Sequence, residues 1–222
     1  MRLRARVSPV AAAVLAGLSF GPVSAQETQI GFQSVEWSLD GKRLLVTAIE
    51  RKPDYSDYDP EKWRLVLVDL ESGALRRIET GATTGCFSPD GARIAFVGGR
   101  DGAQEIWTVA PDGSGAKRLT HSEGAKPFNP AWSPDGKEVL YYLEKGDQKD
   151  QVWIIGADGA GATNVTHDEE HNIFPGWGPK GRLVFSVKDR IVSMPRAGGP
   201  KTEIKGTSGY WARVSPDGSK IA

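Results

Sequence analysis

One five-residue segment of the chain has the residue types of a metal-dependent hydrolase. His167-Asp168-Glu169-Glu170-His171 matches the H-x-x-E-H pattern of some zinc peptidases. In that chemistry two histidines on one helical face bind Zn²⁺, and a glutamate beside them activates a water molecule. No helical pattern flanks the segment, because Asn164-Val165-Thr166 before it has the residue types of a strand. We therefore expect a polar loop here rather than a zinc centre.

An acidic run earlier in the chain has the residue types that bind a harder metal ion. Asp54, Asp57 and Asp59 supply carboxylates that could converge on Ca²⁺. The run lacks the glycine and the distant bidentate glutamate of a known calcium loop. A solvated loop is the favoured interpretation, and calcium binding by this loop stays open.

Two further patterns match functional motifs without the context that the chemistry needs. Gly17-Leu18-Ser19-Phe20-Gly21 fits the G-x-S-x-G pattern of serine hydrolases, but it lies inside an N-terminal leader. Asn164-Val165-Thr166 fits a glycosylation sequon, but it falls within a strand-like run. The sequence thus predicts no catalytic residue, no metal ligand and no cofactor.

Residues 1–25 have the three parts of a cleavable secretory signal peptide. Three arginines precede an apolar stretch over residues 10–20, and Val23-Ser24-Ala25 forms a small-residue cleavage site. Cleavage after Ala25 predicts a periplasmic or secreted protein. The remaining chain has 25 basic and 28 acidic residues, a net charge of −3. No basic patch predicts nucleic-acid binding, and no later segment is long and apolar enough to predict a membrane span.

A recurring phrase indicates the architecture that positions all of these residues. Its closing glycines lie 50, 45, 45 and 37 residues apart. A period near 45 residues with several strand-like runs is typical of a β-propeller blade. The copies are Trp37-Ser38-Leu39-Asp40-Gly41, Phe87-Ser88-Pro89-Asp90-Gly91, Trp132-Ser133-Pro134-Asp135-Gly136, Trp177-Gly178-Pro179-Lys180-Gly181 and Val214-Ser215-Pro216-Asp217-Gly218.

The phrase Ser-Pro-Asp-Gly predicts a tight hairpin turn. Proline presets the first central position, aspartate bonds the backbone ahead of it, and glycine accepts the left-handed conformation. Two further strand-like runs follow in each repeat, so each repeat is predicted to be a four-stranded antiparallel meander. Cys86, the only cysteine, lies in a predicted inner strand, where we expect a small buried apolar group and no disulfide.

The predicted fold class is therefore all-β, a propeller of four-stranded antiparallel blades with four full blades and an incomplete fifth. We expect a fragment of a larger propeller, and a strand around Thr28 to Phe32 could pair with the incomplete fifth blade. The predicted propeller domain spans residues 26–222, with blades at about 32–80, 82–120, 127–166 and 172–205, and a partial blade at 209–222.

Successive connections in a meander alternate between the two faces of the disc. The Ser-Pro-Asp-Gly turns share one face, and an insertion at residues 51–61 shares the other with the links between blades. Binding residues gather on loops that a rigid scaffold holds. Aromatic side chains would anchor a partner, although each could instead pack between blades, and acidic stretches at 54–61 and 168–170 would favour a basic partner. The predicted partner-binding residues are Asp54, Tyr55, Tyr58, His121, Phe128, His167, His171, Phe174, Tyr210 and Trp211.

The repeated phrase resembles the WD40-like propeller repeat of TolB-type proteins, most closely at residues 132–137 and 87–96, with the ending Arg118-Leu119-Thr120. The likeness runs from about Phe32 to the end of the chain. It implies a periplasmic propeller of the Tol–Pal envelope system that binds a peptidoglycan-associated lipoprotein. The repeats also resemble the propellers that precede the hydrolase domain of prolyl-oligopeptidase-like peptidases, whose catalytic residues lie in that separate domain.

The favoured function is a non-catalytic, secreted or periplasmic module that binds a protein or peptide, possibly of the cell envelope. The alternative is the N-terminal propeller of a prolyl-oligopeptidase-like serine hydrolase whose catalytic domain is absent from this chain. A sugar- or metal-binding propeller lyase is a less favoured third. Sequence beyond Ala222 would discriminate, because further blades favour the binding module and a G-x-S-x-G elbow favours the peptidase.

Overall fold

A computed structural model of the chain describes residues 29–51, 62–100, 102–207, 209–212, 214–215 and 220–221. The predicted signal peptide at 1–25 lies outside the described residues. So do Asp54, Tyr55 and Tyr58 of the insertion, and Pro216-Asp217-Gly218 of the fifth turn. Within the described residues, no helix is long and apolar enough to cross a membrane.

The described residues form four antiparallel sheets, each a meander whose strand order follows the chain. This confirms the predicted all-β fold of four-stranded blades. The first two sheets consist of β1 (Gln29–Trp37), β2 (Arg43–Arg51), β3 (Arg64–Asp69) and β4 (Leu75–Thr80), and of β5 (Ala82–Phe87), β6 (Ile94–Gly98), β7 (Glu105–Val109) and β8 (Lys117–Arg118). The third and fourth consist of β9 (Lys126–Trp132), β10 (Glu138–Glu144), β11 (Gln151–Gly156) and β12 (Thr163–Asn164), and of β13 (Asn172–Trp177), β14 (Leu183–Val187), β15 (Arg190–Met194) and β16 (Thr202–Glu203).

The repeated turn closes each sheet's first hairpin through its serine. The Ser88 hydroxyl donates to Asp90 Oδ1 at 2.6 Å and accepts from the backbone N–H of Arg93 at 2.9 Å. Gly91 follows at φ +67°, a conformation that favours glycine. The turns at Ser38 and Ser133 repeat these bonds. In the fourth repeat the serine is replaced by Gly178, and a 3₁₀ turn over Pro179–Gly181 takes its place.

Apolar layers between neighbouring sheets form the core. Because each inner sheet is covered on both faces, its strands are apolar on both sides, as in β6 and β14, where every residue is buried. Burying these side chains between sheets supplies the main stabilisation, about 25 cal/mol per Å² of apolar surface. The layers contain Leu45 and Phe96 between sheets one and two, Val97 and Tyr141 between two and three, and Leu140 and Phe185 between three and four.

Each innermost strand carries a β-bulge. In β5, β9 and β13 the bulge lies at the same place in the repeat, whereas in β1 the pairing register shifts one residue earlier, between Phe32 and Ser34. Non-glycine residues there adopt left-handed φ: Thr84 (42°), Asn129 (50°), Phe174 (53°) and, in the fifth repeat, Trp211 (70°). Such conformations are uncommon for bulky residues. The bulge therefore turns one side chain per repeat out of the regular strand alternation.

Two sequence-based expectations about strand placement were wrong. Residues 29–32 pair with residues 48–51 of β2 within the first sheet, so they are not available to complete the fifth repeat. Phe128 and Phe174, which we expected on loops as partner-binding residues, lie inside β9 and β13. Pro130 and Pro175 follow them closely, and proline is depleted in strands except at edges and bulges. The sequence therefore did not indicate a strand at these positions.

The fifth repeat is represented by a single antiparallel bridge between Val214 and Ile221. Both residues, with Ala212, pack against Val184 and Ile191 of the fourth sheet. The start of the fifth repeat thus covers the outer face of the fourth sheet, as the next blade of a propeller does.

Candidate partner-binding site

Hydrogen bonds between connections define two faces. On the turn face, which carries the Ser-Pro-Asp-Gly turns, the Leu70 N–H donates to the Lys42 carbonyl at 2.9 Å, joining the two turns of sheet one. On the loop face, which carries the links between sheets, the Asn172 N–H donates to the Asp150 carbonyl at 2.8 Å. The Gly209 N–H likewise donates to the Asp189 carbonyl at 2.9 Å, so links and second-to-third-strand loops share this face.

Five aromatic side chains from three repeats form a continuous row towards the loop face, which we call the aromatic arc. Phe128 stacks on Tyr142 with ring centroids 5.3 Å apart, and Tyr142 meets the Phe174 ring edge-on at 5.8 Å. Phe174 stacks on Trp211 at 5.0 Å and contacts Tyr210 at 6.5 Å. The sequence predicted four of these residues separately, and the structure brings them together.

The strand register explains why the arc forms. Phe128 and Tyr142 are paired directly across β9 and β10 near the loop-face ends of these strands, so their rings lie side by side. The left-handed backbone at Phe174 and Trp211 turns both rings towards the same row. Phe128, Phe174 and Trp211 are half-buried, whereas Tyr210 is 62% exposed. The arc therefore consists of half-buried rings, with the exposed ring of Tyr210 at one end.

Tyr142, which lies between Phe128 and Phe174 in the arc, has a hydroxyl that stays neutral. Burial raises the pKa of Tyr142 to about 12, and the carboxylates of Asp150 and Glu144 contribute to the rise. A phenol with this pKa remains protonated under physiological conditions, so Tyr142 can donate or accept a hydrogen bond without carrying charge.

Two of the three acidic residues in the link that follows β12, Asp168 and Glu170, are paired within the protein. Lys201 lies 2.6 Å from Asp168 and 3.1 Å from Glu170, and Arg190 lies 3.3 Å from Glu170. Partial burial opposes ionisation of Asp168, but hydrogen bonds from Lys201 and Asn172 outweigh it and hold the pKa of Asp168 below its ordinary value. Asp168 and Glu170 thus fasten the link to the fourth sheet. Because their charges are already paired, these two residues contribute less to attracting a basic partner.

The zinc-like segment adopts the loop that the sequence analysis favoured. Residues 167–171 are not helical, and His167 is exposed at φ 42°. His171 Nδ1 lies 2.8 Å from Asp150 Oδ2, and its Nε2 lies 3.3 Å from Lys149 Nζ. Across the described ranges, no three His, Cys, Asp or Glu side chains are grouped as metal ligands would be. His121, His167 and His171 are all exposed, and His171 is bonded to Asp150.

The innermost strands surround a small axial hollow of about 20 Å³, enough for about one water molecule. Each repeat contributes to it the residue seven positions before its closing glycine, and these residues are Ser34, Thr84, Asn129, Phe174 and Trp211. Repeats one to three thus supply hydroxyl and amide groups, and repeats four and five supply aromatic rings. The arc and the hollow share Phe174 and Trp211.

Sequence reasoning missed three residues of this region. Tyr142 lies in the apolar run of β10, a pattern typical of a core residue, although its ring is part of the arc. Thr84 and Asn129 give no signal by residue type, because neither is aromatic or charged. Aligning the repeats on their closing glycines would have found both, since they occupy the position of Phe174.

Comparison with known proteins agrees with the fold. Residues 32–221 match the TolB beta propeller domain family. The Tol-Pal system protein TolB of Anaeromyxobacter dehalogenans (strain 2CP-C) is 36% identical over 99 residues, which are 45% of this chain and 21% of that protein.

Solved structures with the same architecture include a TolB protein and a prolyl endopeptidase. TolB from Acinetobacter baumannii superposes with a TM-score of 0.62 at 22% identity, over 79% of this chain and 43% of that chain. A prolyl endopeptidase superposes with a TM-score of 0.57 at 15% identity, over 80% of this chain and 29% of that chain. At these identities the likeness shows the fold alone, and the chain spans less than half of each of these proteins.

Proposed function

The chain belongs to the TolB β-propeller domain family, and on that premise we propose that it is a non-catalytic module that binds a protein or peptide of the cell envelope. The aromatic arc carries this proposal. Aromatic residues are the side chains most enriched at interaction hot spots, and they act best when they are clustered and partly desolvated. Phe128, Tyr142, Phe174 and Trp211 are clustered in this way, and Tyr210 extends the row into solvent.

The loop face suits a partner better than the turn face does. On the turn face, Asp40, Asp90 and Asp135 accept bonds from the serines of their own turns, so these polar groups are engaged in holding the hairpins. On the loop face the arc adds apolar surface, and the nearby charges of Asp168 and Glu170 are paired internally. A partner that docks here gains apolar contact without having to neutralise these carboxylates.

The proposal includes export across the inner membrane. Residues 1–25 would direct secretion and be removed after Ala25, which places the propeller in the periplasm. The proposal predicts that the protein recovered from a periplasmic extract begins at Gln26. Recovery in the cytosol with an intact N-terminus would contradict it.

A titration with a defined partner tests the binding role. The resemblance to TolB-type proteins implies the peptidoglycan-associated lipoprotein of the same organism as the probe. We expect saturable binding of the soluble lipoprotein domain to the mature chain by calorimetry. Phe174→Leu should weaken it at least tenfold, because it removes the stacking partner of Trp211 while keeping an apolar side chain. Absence of binding by the folded chain would count against this partner, and equal binding by the variant would count against the arc.

The similarity to a prolyl endopeptidase structure favours one alternative, the gating propeller of a serine hydrolase. In that case the genomic reading frame would continue past Ala222 into a strand–turn–helix with a G-x-S-x-G elbow. A reading frame that continues only into further propeller repeats would remove this alternative.

A further inference from the structure

A groove on the turn face lies between the second and third sheets, and we call it the second groove. Its volume is about 450 Å³, within the range of about 300 to 1,000 Å³ that small-ligand sites occupy. The half-buried ring of Trp132 lines it, and the turns of the two sheets supply Asp90 and Asp135. The second groove thus combines an aromatic surface with two carboxylates.

The equivalent groove between the first and second sheets, the first groove, shows what this arrangement accommodates. There the guanidinium of Arg43 lies over the Phe87 ring, 5.4 Å from its centroid, and Arg43 Nη2 lies 3.9 Å from Asp40 Oδ2. The same guanidinium packs on the turn of the second sheet, where a Cβ added to Gly91 would lie 2.8 Å from Nη2. An arginine of the chain itself therefore fills the first groove, through an aromatic ring and a turn aspartate.

The second groove holds the same groups without the stacked cation. Trp132 and Asp90 take the places of the ring and the turn aspartate. No Lys or Arg among the described residues stacks on the Trp132 ring. A Cβ added to Gly136 would meet only Pro89 Cδ, at 3.7 Å. The space that Arg43 fills in the first groove is therefore open in the second.

Arg93, the counterpart of Arg43, is bonded elsewhere. Its Nη2 donates to the Thr108 hydroxyl at 2.7 Å and to the Gly115 carbonyl at 3.1 Å. The first sheet has Leu67 at the position of Thr108, so no hydroxyl there draws Arg43 away from its ring. An acceptor within its own sheet thus explains why Arg93 leaves the ring of the second groove uncovered.

The carboxylates of the second groove are charged and have no cation of their own. A hydrogen bond from the serine hydroxyl of each turn holds the pKa of Asp90 and of Asp135 below its ordinary value, so both are ionised at neutral pH. The bonds from the serines and from the backbone all reach Oδ1. Neither carboxylate forms a salt bridge with another residue that the structure describes, so both Oδ2 atoms remain available to a cation.

Two cations that line the second groove are bonded to uncharged oxygen atoms. They are Arg93 and Lys117, and Lys117 donates to a backbone carbonyl of the third sheet. Its counterpart Arg76 donates in the same way to a carbonyl of the second sheet, and Arg43 still stacks in the first groove. A neighbouring cation bonded in this way therefore does not prevent a guanidinium from stacking.

We propose that the second groove binds a guanidinium group of the kind that an arginine side chain carries. The group stacks on Trp132, the type of aromatic ring that binds cations best, and pairs with Oδ2 of Asp90. Arginine suits the groove better than lysine, because its planar head matches both a ring face and a carboxylate. The proposal goes beyond the role of the loop face, because it assigns a different ligand to the opposite face.

An NMR titration of the full mature chain with labelled tryptophan tests the proposal. The indole N–H of Trp132 has no hydrogen-bond acceptor within the described part of the chain, so its signal reports locally, and Trp132→Phe identifies that signal. The probe is acetyl-glycyl-arginyl-glycinamide. We expect a saturable shift of the Trp132 signal, with weaker binding of the lysine analogue and about tenfold weaker binding of the neutral citrulline analogue. Free L-arginine distinguishes the source, because tighter binding of the peptide assigns a protein segment and tighter binding of L-arginine assigns the free amino acid.

Two variants and a matched control separate the site from the scaffold. Asp90→Asn keeps the turn acceptor and removes the charge, so binding should weaken about fivefold or more. Asp40→Asn makes the same change in a turn with the same bonds, but Asp40 faces Arg43, so binding should stay within about twofold of the parent. Thr108→Val removes the hydroxyl that holds Arg93, which then competes for the ring and weakens binding.

Circular dichroism checks that each variant is folded. Three results would overturn the proposal: no saturable shift of the Trp132 signal, equal binding of the citrulline analogue, or equal losses of binding in Asp40→Asn and Asp90→Asn.

Discussion

Phe174 in the innermost strand of the fourth sheet stacks face to face on Trp211 of the fifth repeat, with ring centroids 5.0 Å apart and planes within 10°. The two residues occupy the same position of consecutive repeats, seven residues before the closing glycine. Their contact joins adjacent repeats near the propeller axis. It also forms the aromatic wall that the arc and the axial hollow share, so a change at this pair should affect both.

Tyr210 offers the cleanest test of the arc, because it is 62% exposed and its truncation removes little packing. Tyr210→Ala should weaken binding of the envelope partner about tenfold, as expected for an aromatic anchor. The free energy of unfolding should change by less than about 0.5 kcal/mol. Trp37→Ala is a matched control, since Trp37 is also exposed, at 55%, but lies outside the arc. Similar losses of binding in both variants, measured by calorimetry, would show that the arc is not the contact surface.

The second and third sheets each hold the link to the next sheet by hydrogen bonds at equivalent positions, but the residues involved differ in charge. In the second, the buried Glu105 carboxylate accepts from Arg118 at 2.6 Å and from the Ser122 N–H at 2.7 Å. In the third sheet, the neutral residues Gln151 and Asn164 take the places of Glu105 and Arg118. Gln151 accepts from the Thr166 hydroxyl, and Asn164 accepts from the Thr166 N–H. The protein thus contains a charged and a neutral version of the same hydrogen-bonded arrangement.

The comparison of these two arrangements predicts that a second substitution restores the stability lost in a first. Arg118→Asn leaves the 1%-exposed Glu105 carboxylate without its cation and should destabilise the protein by about 3 kcal/mol. The double variant Glu105→Gln/Arg118→Asn recreates the pair of the third sheet and should unfold within about 1 kcal/mol of the parent. Urea denaturation of both variants checks this. A double variant no more stable than Arg118→Asn would show that the charged and the neutral arrangements are not interchangeable.

The sequence was most informative where structure is decided locally. The turn at Ser88 is encoded by four adjacent residues, so the hairpins and hence the fold followed from spacing. The bulge was not predicted, because Thr84, Asn129 and Phe174 share a left-handed backbone there without sharing a residue type that favours it. The partner of Asp168 was not predicted either, since Lys201 lies 33 positions further along the chain. Contacts between repeats, rather than within them, are what the sequence pattern could not supply.

Removing the serine from a repeated turn should weaken the hairpin by a reproducible amount. Ser88→Ala removes one bond to Asp90 and one from the Arg93 N–H, at an expected cost of about 1 to 2 kcal/mol. Ser133→Ala should cost about the same, because its turn has the same bonds. Thermal unfolding measures both. Ser114→Ala in a glycine-rich turn is a milder control, since Ser114 bonds only Asp112 through its side chain. A negligible cost for both test variants would refute the role assigned to the serine.

The clamp of Lys201 on Asp168 predicts an acid-sensitive contribution to stability. The folded-state pKa of Asp168 lies below its ordinary value of 3.8, so the contribution is fully present above that value and is lost as the pH falls through the lower folded pKa. Lys201→Met should destabilise the protein by about 1 kcal/mol at neutral pH, and the difference should shrink below pH 3.8. Lys145→Met, at an exposed position, serves as the control. A difference that does not change between neutral pH and pH 3 would contradict the assignment.

Site-specific photocrosslinking in the cell envelope tests most directly whether the loop face binds the partner. A photoreactive phenylalanine analogue replaces Tyr210 on the loop face or, in a separate strain, the exposed Asp112 on the turn face. We expect the Tyr210 position to crosslink to the peptidoglycan-associated lipoprotein and the Asp112 position not to. Crosslinking of that lipoprotein from Asp112 with none from Tyr210 would contradict the account.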